Sequence, residues 1–161
     1  MHLGRPKGRA VTIAPKCQGL RKRRWFTTKF IDYMKNESAY SRAIFETAQP
    51  SFPEAFAIIT AYNPDGIDHA VEENEAFNRL LQREITKRHH SSCSSFEITG
   101  KSVCGSHKEP GWGLSCSLEE AIDLGRLFRQ EAIFWINTDK SLHLVDVKTR
   151  EQTCIGKFDP L

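Results

Sequence analysis

The amino-acid sequence predicts an α+β domain of two layers, in which two helices pack on one mostly antiparallel sheet. Two segments carry apolar residues at helical spacing, and seven short runs rich in apolar and β-branched residues are separated by turn-forming residues. The last three runs follow one another without a helix between them, which is typical of an antiparallel meander. Packing both helices on one sheet is the simplest way to bury their apolar faces.

Residues 40–47 predict the first strand, and the continuous apolar run FAIIT at 56–60 predicts a strand that is buried on both faces. The sequence NPDG at 63–66 predicts a turn, because proline fixes φ and glycine permits a positive φ. A helix is predicted over 68–88, where apolar residues recur three or four positions apart. Residues 95–100 predict the next strand.

The segment KSVCGSHKEP at 101–110 predicts a loop, and residues 111–116 predict a strand. Ser117 and Glu120 form the capping box that begins a second helix, which ends near Gln130. The three runs of the predicted meander are 132–137, 141–147 and 152–158. The predicted order is therefore β-β-α-β-β-α-β-β-β.

Length and composition describe an ordinary globular protein. The chain has 161 residues, of which 39% are hydrophobic and 27% charged, enough for one domain with a substantial core. The sequence has neither an apolar run near the ~20 residues of a membrane helix nor the apolar core of a signal peptide. We therefore expect a soluble, cytoplasmic protein without a membrane partner. Five scattered cysteines favour reduced thiols over a disulfide framework.

Residues 1–33 differ from the rest in charge, because they contain nine basic residues and one acidic residue. Residues 34–161 contain 14 basic and 19 acidic residues, so we divide the chain into a flexible basic arm, 1–33, and one α+β domain, 34–161. A basic arm can contact nucleic acid through electrostatic attraction. The four residues predicted for this contact are Arg21, Lys22, Arg23 and Arg24. The alternatives are a solvated tail and an N-terminus that begins at Met34.

Polar residues at the ends of these elements predict a ligand site. Asn63 follows the buried strand in a turn that leads into a helix, where backbone N–H groups are available to a ligand. Asn74 falls on the apolar stripe of the first helix, and burying an amide costs about 1–3 kcal/mol unless it is paired. Glu109 and Gln130 lie at the ends of neighbouring elements. For each residue the structural alternative is a turn residue, a cap or a brace.

The segments FAIITAYNP, HKEPGWG and LGRLFRQEAIFWI, together with an asparagine in the first helix, resemble the bacterial family called domain of unknown function 3293. The resemblance runs from about residue 40 to residue 147 and leaves the basic arm outside. It implies that five residues match recurrent positions of the family: Asn63, Pro64, Asn74, Glu109 and Gln130. The family has no assigned activity, so the prediction of function depends on the residues themselves.

These residues predict a protein that binds a polar small molecule or a nucleotide-type ligand, because amides and one carboxylate suit recognition by hydrogen bonds. Such a protein could also be an enzyme, and Glu109 is then the only candidate general acid or base among the four. One alternative is a nucleic-acid-associated protein that uses the basic arm. The other is a non-catalytic interaction module, in which the polar residues only satisfy the fold.

A zinc site is the weaker alternative for a cofactor. Four residues have the spacings of zinc ligands, namely His90, Cys93, Cys104 and His107. No CxxC pair anchors this set, so we predict no cofactor. Trp112 and Trp135 are predicted as residues of the core or of a pocket wall.

Overall fold

The structure, a computed structural model, describes residues 44–88, 94–101 and 108–160. The basic arm, with Arg21, Lys22, Arg23 and Arg24, lies outside the described residues. The same holds for the candidate zinc ligands His90, Cys93, Cys104 and His107. The nucleic-acid contact therefore stays a prediction, and the zinc site stays an untested alternative.

The described residues form seven strands and two α-helices in the predicted order. The strands are β1 (Ile44–Glu46), β2 (Phe56–Ile59), β3 (Ser95–Lys101), β4 (Lys108–Leu114), β5 (Ala132–Ile136), β6 (Ser141–Asp146) and β7 (Gln152–Lys157). The helices are α1 (Val71–Arg88) and α2 (Leu118–Leu127), and a short 3₁₀ turn covers Pro64–Gly66. The loop predicted for 101–110 is too long, because β3 and β4 stay paired as far as Lys101 and Lys108.

All strand pairs are antiparallel, and the strand order in the sheet is β1-β3-β4-β2-β5-β6-β7. The meander predicted for the last three strands is confirmed. Strand β2 lies at the centre, between β4 and β5, and every one of its residues is buried. The continuous apolar sequence of this strand follows from that position, since a central strand covered on both faces has no side in contact with water.

One face of the sheet packs against the two helices. Ile59 of β2, Leu81 of α1 and Ile122 of α2 belong to the same buried cluster, together with Ile133 of β5. Helix α2 begins at the predicted capping box, in which the Ser117 hydroxyl accepts from the backbone N–H of Glu120 at 3.3 Å. In the described part of the chain, neither helix is long and apolar enough to cross a lipid bilayer.

The other face of the sheet is covered by its own aromatic side chains. The sheet curls, so that Phe45 of β1 lies 5.7 Å from Phe158, the residue after β7, measured between ring centroids. Phe56 of β2 and Phe96 of β3 complete the centre of this cluster. The α+β class is confirmed, whereas the simple two-layer arrangement is not, because the outer strands bend round and bury the second face themselves.

Candidate functional site

The chain leaves β2 through a tight turn that has the predicted chemistry. Asn63 has φ 50° and ψ 56°, a left-handed conformation that asparagine tolerates better than most residues, and Gly66 has φ 64°. The Gly66 N–H donates to the Asn63 carbonyl at 2.9 Å, and the Ile67 N–H donates to the Pro64 carbonyl at 3.1 Å. This turn redirects the chain from the central strand towards α1.

Asn63 and Asn74 bind each other through two hydrogen bonds. The Asn63 backbone N–H donates to Asn74 Oδ1 at 2.7 Å, and Asn74 Nδ2 donates to Asn63 Oδ1 at 2.9 Å. Asn63 Oδ1 also accepts from the His69 N–H at 3.0 Å, and Asn74 Nδ2 also donates to the His69 carbonyl at 3.2 Å. These contacts fasten the turn to the first turn of α1, so the buried Asn74 amide has the paired role that its position on the apolar stripe requires.

Glu109 lies next to this amide pair. Asn63 Nδ2 is 3.5 Å from Glu109 Oε1, at the limit of a hydrogen bond, and the Glu109 residue is only 7% exposed. The register of the sheet explains the proximity, because β4 pairs with β2 and Glu109 stands beyond the last paired residues of β2. The structure therefore brings Asn63, Asn74 and Glu109 together.

Gln130 binds the residue directly before Asn63 and acts as a brace. Its Nε2 donates to the Tyr62 carbonyl and to the Phe128 carbonyl, each at 3.1 Å, and its backbone N–H closes the end of α2 on the Gly125 carbonyl. Gln130 is 6% exposed. Its side chain thus joins the end of α2 to the chain just after β2.

An open groove of about 290 Å³ lies beside Tyr62, between α1 and the strands β3 and β4. The residues along the groove are Tyr62, Glu75, Asn78, Arg79, Gln82, Glu97, Pro110 and Trp112. Asn74, Asn78 and Gln82 stand four residues apart on α1, so they follow one side of the helix. The Asn74 side chain is hydrogen-bonded to the turn, while Asn78 and Gln82 line the groove.

Two polar atoms of the groove residues are buried and have no hydrogen-bond partner among the described residues. They are the indole Nε1 of Trp112 and the Oδ1 of Asn78. Trp112 is 9% exposed as a whole residue and belongs to the buried cluster, as expected of a residue of the core or of a pocket wall. An indole N–H can only donate, and a carbonyl oxygen can only accept. Two residues of the groove wall therefore each carry one buried polar atom, a donor and an acceptor, whose burial is uncompensated at a cost of about 1–3 kcal/mol.

The hydroxyl of Tyr62 is sensitive to the carboxylates around the groove. Burial raises the pKa of Tyr62 above its usual value of 10.0, and the negative charges of Glu75 and Glu109 raise it further. Tyrosine is neutral when protonated, so nearby negative charge opposes its ionisation. Stability linked to this group is present below pH 10 and is lost as the pH rises through the pKa of the folded state.

Replacing Glu109 with glutamine is expected to lower the pKa of Tyr62, because the substitution removes one of the two charges that oppose ionisation. A tyrosinate absorbance titration measures the effect, with the Tyr62→Phe protein as the blank that isolates this residue. Glu75→Gln is expected to lower the same pKa more. Glu72→Gln, on the exposed first turn of α1, is the control that should leave it unchanged. A Tyr62 titration that is identical with and without Glu109 would contradict the electrostatic account.

A second polar cluster fastens the hairpin of β5 and β6. Trp135 Nε1 donates to Asn137 Oδ1 at 2.8 Å, which fixes the orientation of that amide. Asn137 Nδ2 then points at His143 Nε2, 3.0 Å away, and the Ser141 hydroxyl is 2.9 Å from the same nitrogen. His143 Nε2 therefore accepts from the Asn137 amide. This cluster is a brace between two adjacent strands.

In the described part of the chain, no group of three or more His, Cys, Asp or Glu side chains is arranged to hold a metal ion. The sequence prediction missed the groove residues of α1 and β3, which are Glu75, Asn78, Arg79, Gln82 and Glu97. The four-residue spacing of Asn74, Asn78 and Gln82 was the available signal, because it places three amides along one side of an otherwise amphipathic helix.

Comparison with known proteins gives one result. Neither a curated protein nor a solved structure matches the chain. A family model matches residues 59–133, a stretch that runs from the last residue of β2 into β5. It contains Asn63, Asn74, Glu109 and Gln130 as well as all of the groove residues. Over this stretch the chain resembles the family described as "Protein of unknown function (DUF3293)".

Proposed function

We propose that the protein binds a small polar molecule in the groove between α1 and the strands β3 and β4. The observation that supports this most is the Trp112 indole N–H, which is buried in the groove wall without an acceptor among the described residues. Buried donors in folded proteins are nearly always paired. An unpaired donor in a groove wall is therefore the position where a hydrogen-bond acceptor on a ligand contributes most to binding free energy. Asn78 Oδ1 offers the complementary acceptor in the same groove.

The groove combines apolar and polar side chains. Aromatic and proline side chains supply the apolar part of its wall, and two amides, two carboxylates and a guanidinium supply the polar part. Its volume of about 290 Å³ is at the lower end of the range, about 300–1,000 Å³, that is usual for such sites. The proposed ligand is therefore compact.

The predicted site residues have different roles in this proposal. Asn63, Asn74 and Gln130 hold Tyr62 and its turn in place, because their side chains are engaged with the turn, with α1 and with the end of α2. Glu109 does not line the groove, but its charge acts on Tyr62, which does. The ligand is contacted by Trp112 and Asn78 rather than by the four residues that the sequence singled out.

The test is a screen of small polar compounds by NMR, with the indole N–H signal of Trp112 as the readout. Compounds that bind in the groove are expected to move this signal. Their affinity is then measured by calorimetry, because Trp112→Phe has no indole N–H to follow. This variant is expected to weaken binding about fivefold to tenfold, the effect of one hydrogen bond. Trp135→Phe is the matched control, because its indole N–H is already bonded to Asn137. The proposal fails if no compound moves the Trp112 signal, or if both tryptophan variants weaken binding equally.

A further inference from the structure

The charges around the groove define the class of ligand more closely. Its lining contains two carboxylates, Glu75 and Glu97, and one guanidinium, Arg79. Arg79 Nη1 lies 3.9 Å from Glu75 Oε2 on the next turn of the same helix, so these two charges largely offset each other. Glu97 of β3 has no salt-bridge partner among the described residues, so no opposite charge offsets its carboxylate. The groove is therefore left with a net negative charge.

Glu109 adds to this negative charge from just outside the groove. Its effect reaches the lining, since the pKa of Tyr62 is raised by burial first and then by Glu75 and Glu109. A phosphate group entering the groove would meet this negative field. The same field attracts an organic cation, and the faces of Tyr62 and Trp112 in the wall can add a cation–π contribution.

We infer that the groove binds a compact organic cation, an amine or guanidine, that also carries a neutral oxygen or nitrogen acceptor. This inference rests on the proposed binding function. The cationic group donates to Asn78 Oδ1 and faces the Glu97 carboxylate, and the neutral acceptor receives the Trp112 indole N–H. One ligand of this kind satisfies both unpaired atoms and the uncompensated charge. A nucleotide satisfies the donor but brings phosphate charge into a negative groove.

Three compounds with the same hydroxyphenyl ring and different terminal charges test this inference. They are tyramine, which is cationic, tyrosol, which is neutral, and 3-(4-hydroxyphenyl)propionate, which is anionic. Each is titrated into the full chain at low salt, and the Trp112 indole signal is followed. Tyramine is expected to bind about tenfold or more tightly than the propionate, with tyrosol between them. Raising the salt concentration is expected to reduce the difference in affinity between tyramine and the propionate, because the charged groups of the groove are partly exposed to solvent.

Glu97→Gln links the preference to the groove, since glutamine keeps the shape of the side chain and removes its charge. This variant is expected to bind tyramine about fivefold more weakly and to bind tyrosol with unchanged affinity. Glu72→Gln, on α1 but outside the groove, is the control that should leave both unchanged.

The results separate this inference from the proposal on which it rests. If tyrosol or the propionate moves the Trp112 signal at the same concentrations as tyramine, binding in the groove stands and the cationic class is overturned. The class is also overturned if Glu97→Gln and Glu72→Gln weaken tyramine equally. If neither these compounds nor the screened compounds move the signal, both the proposed binding function and the inferred ligand class are wrong.

Discussion

The Asn74→Ala protein is expected to unfold with a free energy about 3 kcal/mol lower than that of the unsubstituted protein. The substitution removes the acceptor of the Asn63 backbone N–H and the donor to Asn63 Oδ1 and the His69 carbonyl. Asn74 is 7% exposed, so water replaces these partners poorly. The Asn63 N–H and the His69 carbonyl, on two half-buried residues, lose these partners, and an unpaired buried group costs about 1–3 kcal/mol. Urea denaturation measures the difference.

Asn78→Ala is the matched control, one turn further along the same side of α1. No hydrogen bond of the Asn78 Oδ1 to the described residues is lost, so its expected cost is below about 1 kcal/mol. Asn74→Asp is a sharper variant, because it keeps the acceptor for the Asn63 N–H but places a carboxylate against two oxygen acceptors. It is expected to be no more stable than Asn74→Ala. Equal stability losses for Asn74→Ala and Asn78→Ala would contradict the bracing role of the amide pair.

Replacing Gly111 with alanine is expected to lower the free energy of unfolding by about 2–3 kcal/mol, the usual cost of a clash in a packed interior. A Cβ atom at this position would lie 2.6 Å from the Ile59 carbonyl oxygen and 3.2 Å from its carbon. Both atoms belong to the backbone of the central strand, so they cannot rotate away as a side chain could. Strands β2 and β4 must separate locally, which also moves Trp112, the neighbouring residue in the groove wall.

Gly100→Ala in β3 is the control for Gly111→Ala. A Cβ atom there lies 3.8 Å from the Phe45 ring, which is ordinary contact, so this variant is expected to be neutral or slightly stabilising. The two variants are compared by urea denaturation, and the Trp112 indole signal reports whether the groove wall has moved. A Gly111→Ala protein as stable as Gly100→Ala would mean that β2 and β4 separate without cost.

The elements of the fold were predictable because each has a local signal. Ser117 and Glu120 define the start of α2, and Pro64 and Gly66 define the turn. The short polar segments 138–140 and 148–151 separate the last three strands. The curl of the sheet was not predictable in this way. It depends on the meeting of Phe45 and Phe158, which are at opposite ends of the described chain and share no local pattern.

The candidate site was predictable only in part, for the same physical reason. Asn74 on an apolar stripe signals a paired amide, and its partner is the predicted Asn63. The groove arises where β3 and β4 pass beside α1, so its residues become neighbours only after strand pairing has been fixed. Glu97 and Trp112 are directly opposite each other in that pairing, a relation that no short segment of the sequence contains.

The central place of β2 has a consequence for the order in which the protein can fold. This strand is early in the chain, but its partners β4 and β5 are much later. Ala57 can pair only after Leu114 and Trp135 have been made. During synthesis from the ribosome, the apolar segment Phe56–Ile59 emerges well before either partner exists. Pairing between segments distant in sequence slows folding, and it leaves an apolar, aggregation-prone strand exposed in the nascent chain. Helix α1 follows β2 in the chain and is rich in charged residues, which are expected to favour solubility of the incomplete chain until β5 is made.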